Sequence, residues 1–132
     1  MSSTIARPSP SPVPEPDARG AVVSKAVVRT AQALGLRQAE LAAILGISPP
    51  SASRLIAGQY LLQAEGKPFE LALLLIRVFR SLSGVLGDQM EQASAWMRVE
   101  NRALGGVPAQ LVTTATGLVN TVAYLDAARA RI

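Results

Sequence analysis

Gly46 stands between two short apolar-periodic segments, and few chain paths satisfy both. Before it, Leu41, Ala42 and Leu45 fall on one face of a helix predicted from Gln38 to Leu45. After it, Ile47 is an apolar plug for the space between two helices. Ser48 follows as a good N-cap, because its hydroxyl can accept from unpaired amides, and Pro49 suits the first helical position, where no backbone donor is needed. The helix opened there runs to about Ala57 and stops at Gly58. Helix, glycine turn, second helix is the spacing of a helix-turn-helix.

The flanking segments also read as helices. Val23, Val27, Ala31 and Leu34 recur at helical spacing from Ala21 to Leu34, and Gly35 can supply the left-handed residue that ends such a helix. A linker, Gln59 to Lys67, precedes a helix opened by Pro68 and running to about Ser83. That helix is apolar on most of its circumference, so it must be buried from several sides, in a core or in a subunit interface. Gly84 and Gly87 bracket a predicted break. Asp88 with Glu91 makes a capping arrangement for a helix carrying Trp96 and Met97 and ending near Gly105 and Gly106. Pro108 opens a short helix to about Thr116. Gly117 is expected to break it, and a last helix carries Val119, Val122 and Leu125 almost to Ile132. There is no strand pattern and no repeat, so the predicted fold is all-α, with about seven helices.

Three segments follow. Residues 1–20 hold Pro8, Pro10, Pro12, Pro14 and Pro16 among Ser, Glu and Asp, and are predicted to be a disordered Pro-rich tail. Residues 21–84 are expected to hold the helix-turn-helix bundle and the apolar helix after it, and 85–132 a small helical C-terminal domain.

Composition removes most catalytic chemistry. The chain has no histidine and no cysteine, so the commonest general base and the commonest metal ligands are missing. No phosphate loop is present, since Gly105 and Gly106 follow a helix and not a strand. No enzyme activity, small-molecule substrate, metal or cofactor is expected. The stretch from Phe69 to Leu82 is the most apolar, but Glu70, Arg77 and Arg80 interrupt it. No membrane contact is expected, and no signal peptide fits the proline-rich start, so the expected location is cytoplasmic.

The net charge is +4, and its placement is informative. Residues 21–60 carry Lys25, Arg29, Arg37 and Arg54 against Glu40 alone, whereas in 85–132 Arg98, Arg102, Arg129 and Arg131 balance Asp88, Glu91, Glu100 and Asp126. The basic surplus surrounds the helix-turn-helix, which suits DNA; a merely solvated surface is the plainer reading. The second helix of such a pair can lie in the major groove while the first touches the backbone. Ser51, Ser53 and Arg54, with Ser48 at the helix start, then face the DNA, and Arg54 can fork onto a guanine or clamp a phosphate. Gln38 is placed to donate to a phosphate, and Gln59 is a further candidate. The alternative is a helical hairpin used only for packing.

The stretch resembles the Xre-type (Cro/repressor-like) DNA-binding domain in Gln38, Leu41, Ala42, Leu45 to Ser48, Ser53, Arg54 and Gly58. It departs from that pattern twice. Arg37 stands where the family usually has a capping Ser or Thr, and Pro49 with Pro50 removes two backbone donors from the recognition helix. Further on, Trp96, Asn101, Leu104 to Gly106, Pro108, Gly117, Val119 and Tyr124 to Asp126 resemble the toxin-binding domain of antitoxins in the Xre/MbcA/ParS group, partners of RES-domain toxins. The tandem resemblance implies an antitoxin that binds an NAD-degrading toxin, blocks its active site with the C-terminal segment, dimerises with the Phe69–Leu82 helix as its dimerisation helix, and represses its own operon on operator DNA.

It also implies toxin-contacting roles for Trp96, Asn101, Gly105, Gly106, Asp126, Arg129, Arg131 and Ile132. On their own chemistry these residues leave alternatives open. Trp96 is more often core than anchor. Gly105, Gly106 and Gly117 mark tight backbone paths. The ending, with Arg129, Arg131 and a terminal carboxylate, fits either a narrow cleft built for an anionic dinucleotide or an ordinary cationic helix end. Two other classes stay in view: a stand-alone repressor whose C-terminal helices dimerise or sense a ligand, and a purely structural helical adaptor.

Overall fold

A computed structural model describes residues 16–132, and among them the chain is all-α. Seven α-helices occur in these residues: α1 (Pro16–Ala33), α2 (Gln38–Leu45), α3 (Pro49–Ile56), α4 (Lys67–Leu86), α5 (Ala93–Arg98), α6 (Pro108–Leu111) and α7 (Ala115–Ala130). A 3-10 helix, Gly87–Gln92, links α4 to α5. The only extended pairing among them is one antiparallel bridge between Asn101 and Gly106.

The first helix starts earlier than expected. Residues 16–20, read as tail, belong to α1, and Gly20 is buried. A Cβ at Gly20 would stand 2.2 Å from the Leu62 carbonyl oxygen, so the missing side chain lets the loop after α3 press on α1. Ser24 fastens the same place by accepting from the Leu62 amide at 2.8 Å. Residues 1–15, the remainder of the expected disordered tail, lie outside the described residues.

The helix-turn-helix forms as its spacing demands. Leu41, Ala42, Ile44 and Leu45 are buried on α2, and Ala52 and Leu55 on α3. Gly46 takes the left-handed conformation at φ 70°, which a residue with a Cβ adopts at a cost.

Helix α4 is the centre of the molecule. Its buried positions Phe69, Ala72, Leu75, Val78 and Ser81 recur every three residues, with Leu82 beside the last, and α1, α2 and α7 pack around it. Its apolar face is thus covered within one chain, with Leu73 left 46% exposed. Full burial of a residue such as Leu75 contributes about 1.5–3 kcal/mol.

The C-terminal half departs from expectation in four places. Gly84 does not break the chain but lies inside α4; the break falls at Gly87, at φ 60°. The predicted Asp88–Glu91 cap does not form, because Gln89 leaves helical angles and the segment winds as a 3-10 helix until Ala93. Helix α6 ends at Leu111 and not Thr116, because Thr114 turns outward and caps α7, accepting from the Gly117 amide at 3.0 Å. Gly117 therefore lies in the first turn of α7. A Cβ there would stand 1.9 Å from the Leu111 carbonyl oxygen, so its role is close approach and not helix breaking. On α7 the inward face is Leu118, Thr121, Val122 and Leu125, and Val119 is half exposed. Steps of four and three residues hold Leu118, Val122 and Leu125 on a narrower stripe than two steps of three.

Candidate functional site

Helices α2 and α3 present the first candidate surface. Gln38 opens α2, fully on the outside, and Ser53, Arg54 and Gln59 are also exposed while Ala52 and Leu55 point inward. Ser48 has a structural task. Its hydroxyl oxygen accepts from the Ser51 amide at 3.2 Å and donates to the Ser51 hydroxyl at 2.9 Å. Arg54 extends toward that same Ser51 oxygen, 3.5 Å away. Pro49 and Pro50 carry no N–H, Ser51 donates to Ser48, and the Ala52 amide donates to the Ser48 carbonyl. The start of α3 therefore keeps no free main-chain donor through Ala52, and any anion it meets must be held by side chains.

Arg37 is the N-cap of α2, and a guanidinium has no lone pair with which to accept an amide. The return half of the cap survives, because Glu40 accepts from the Arg37 amide at 2.7 Å. Glu40 also receives both guanidinium nitrogens of Arg98, at 2.5 and 2.7 Å, and Arg98 donates in addition to the Gly35 carbonyl at 2.6 Å. Arg98, with the opposing cost of burial, and then the Arg37 amide hold the Glu40 carboxyl below its usual value. A side chain of α5 thus clasps the end of α1 and the start of α2. Arg98 was not among the predicted residues: 58 positions separate it from Glu40, and no local pattern joins them.

The residues expected at the second surface fall into two groups. Asn101, Gly105 and Gly106 build the turn after α5. The Asn101 amide donates to the Gly106 carbonyl at 2.8 Å, its side-chain oxygen accepts from the Leu104 amide at 3.1 Å, and Gly105 sits at φ 83°. Trp96 is half buried against the core. The other group closes α7. Asp126 accepts from the Ser81 hydroxyl at 2.5 Å and from Arg77 at 2.8 and 3.1 Å, bolting α7 to α4. Ser81 first and then Arg77 lower its carboxyl below the usual range. Beyond it Arg129, Arg131 and Ile132 are exposed, Ile132 at 80%. No hydrogen bond or ion pair among the described residues joins the two groups. Between α4 and α7 lies an open groove of about 870 Å³, walled by Leu73, Ile76, Phe79, Arg77, Arg80 and Arg129. The two arginines of α4 were visible only as charges in an apolar run.

Among the described residues no group of His, Cys, Asp and Glu could hold a metal ion, and no helix is long and apolar enough to cross a membrane.

The profile of the antitoxin Xre-like helix-turn-helix domain matches residues 14–77. That of the antitoxin Xre/MbcA/ParS C-terminal toxin-binding domain matches residues 77–131. The two meet at Arg77, inside α4, and not at the expected division between residues 84 and 85, which falls later in the same helix. No curated protein matches the chain.

Proposed function

Since the chain belongs to the Xre/MbcA/ParS antitoxins, with a DNA-binding helix-turn-helix ahead of a toxin-binding domain, we propose that its partner is a RES-domain toxin that degrades NAD. It neutralises the toxin by placing the last residues of α7 and the two that follow, Arg129 to Ile132, in the active site. It represses its own operon in the cytoplasm by binding operator DNA as a homodimer, and it performs no chemistry itself. The observation that carries this reading is the contrast along α7: Asp126 is bonded to α4, while Ile132 six residues on is 80% exposed. A helix fastened at Asp126 and followed by an uncovered short segment suits insertion into a cleft, because its anchored part loses little order on binding.

On the DNA side, a dimer sets two α3 helices against half-sites about 34 Å apart. Arg54 and Ser53 face the bases, Gln38 a phosphate, and Ser51 holds Arg54 in place. Ser48 contributes through the cap, and Gln59 lies at the edge. Trp96, Asn101, Gly105 and Gly106 act by shaping the domain that carries α7.

The test is direct. The purified protein, mixed in excess with the toxin encoded beside it, stops NAD loss. NAD consumption continuing at the rate of the toxin alone refutes the reading.

A further inference from the structure

The α4/α7 groove lies apart from α2 and α3 and adjoins the terminal segment, with which it shares Arg129 and Ala130. Its lining sets Leu73, Ile76 and Phe79 beside Arg77, Arg80 and Arg129. The one carboxylate in its lining, Asp126, is already matched by Arg77 and Ser81. Arg80 and Arg129 make no ion pair among the described residues, although Arg129 lies near enough to Asp126 to help lower its carboxyl, so three guanidiniums stand against one carboxylate beside exposed hydrocarbon.

The position of Arg129 depends on Gly84. The Arg129 side chain lies across α4 at that glycine, where a Cβ would come within 2.8 Å of Arg129 Cδ. A glycine inside a helix is less favourable than alanine by about 1 kcal/mol. The chain thus carries a weak point in its central helix where the Arg129 stem crosses.

We infer that this groove docks an acidic segment of the toxin, with apolar side chains on Leu73, Ile76 and Phe79 and carboxylates on Arg80 and Arg129. The inference rests on the antitoxin reading above and adds a second grip. The groove wall runs through Arg129 and Ala130 directly into the exposed Arg131 and Ile132, so a toxin receiving the end of α7 is already against it. Charge selects the occupant. A second copy in an isologous contact would bring the same cations together. DNA phosphates would match the cations but leave Leu73, Ile76 and Phe79 unanswered.

The test uses the full chain with Arg80→Glu, Arg80→Gln and Leu73→Ala. Toxin affinity is measured by calorimetry at low and high salt, alongside operator binding and sedimentation. Arg80→Glu weakens toxin binding by about tenfold or more and flattens its salt dependence. Arg80→Gln and Leu73→Ala weaken it less, and operator affinity and oligomeric state stay as in the wild type. Wild-type toxin affinity in all three variants, with inhibition still lost on removing residues 130–132, overturns the groove proposal and leaves the antitoxin reading standing. A wild-type protein that does not bind the toxin removes both. A change in operator affinity or in oligomeric state with toxin affinity intact assigns the groove to DNA or to a second copy, and overturns the proposal.

Discussion

Glu40 answers to two donors at once, the Arg37 amide and the Arg98 guanidinium. One carboxylate therefore closes the start of α2 and ties it to α5. The Arg98 and Glu40 side chains are 30% and 16% exposed, so the pair is partly shielded from water and salt. Arg98→Ala should destabilise the chain by about 1.5–3 kcal/mol, the range for hydrogen bonds to charged groups, read as a lower denaturant midpoint. The pH dependence has a definite sign. The folded carboxyl sits below its usual 4.5, so its contribution is complete above that value and is lost as pH falls through the lowered one. Arg98→Ala should cost less at acid pH than at pH 7; an equal cost at both would mean that the ion pair contributes nothing. Ser48 was legible as a cap because its partner is three residues away, whereas the Arg98 clasp spans 58.

At the scale of elements, α4 shows how glycine misleads. Gly84 reads as punctuation, yet the helix passes through it because Leu82 is buried in the core, Ser81 is bonded to Asp126 of α7, and only Arg129 occupies the space a Cβ would take. Gly84→Ala is expected to raise stability by about 0.5–1 kcal/mol through helix propensity. It should also displace the flexible Arg129 stem and weaken toxin inhibition. Thermal unfolding and an NAD assay separate the two effects; a higher midpoint with unchanged inhibition would show that the placement of Arg129 is irrelevant. Gly117 teaches the same lesson from the other side, since it opens a helix against the Leu111 carbonyl where sequence suggested a break.

Across the whole molecule, α4 belongs to both halves. It covers α1 and α2 and carries α7, and the Arg98 clasp adds a second connection. Removing Asp126 would cut the bond to Arg77 and Ser81, so a truncation meant to isolate the tail has to begin after Arg129. A chain ending at Arg129 should lose toxin neutralisation while keeping operator affinity and, within a few degrees, its melting temperature. Loss of operator binding in that variant would show that the tail serves DNA recognition or the dimer. Retained neutralisation would return the function to the domain surface.

Local chemistry was enough to determine the all-α class, the span of α2, the Gly46 turn and the Ser48 cap, because each depends on residues within one or two turns. The tandem order of the two halves was also legible, since its motifs are short and continuous. Where helices meet was decided only in three dimensions. Gly20 against Leu62, Asp126 between Arg77 and Ser81, and Arg98 on Glu40 all join segments far apart along the chain. Packing of α1, α2 and α7 onto one apolar helix brings them together, and burial around α4 sets those contacts where no periodicity can announce them.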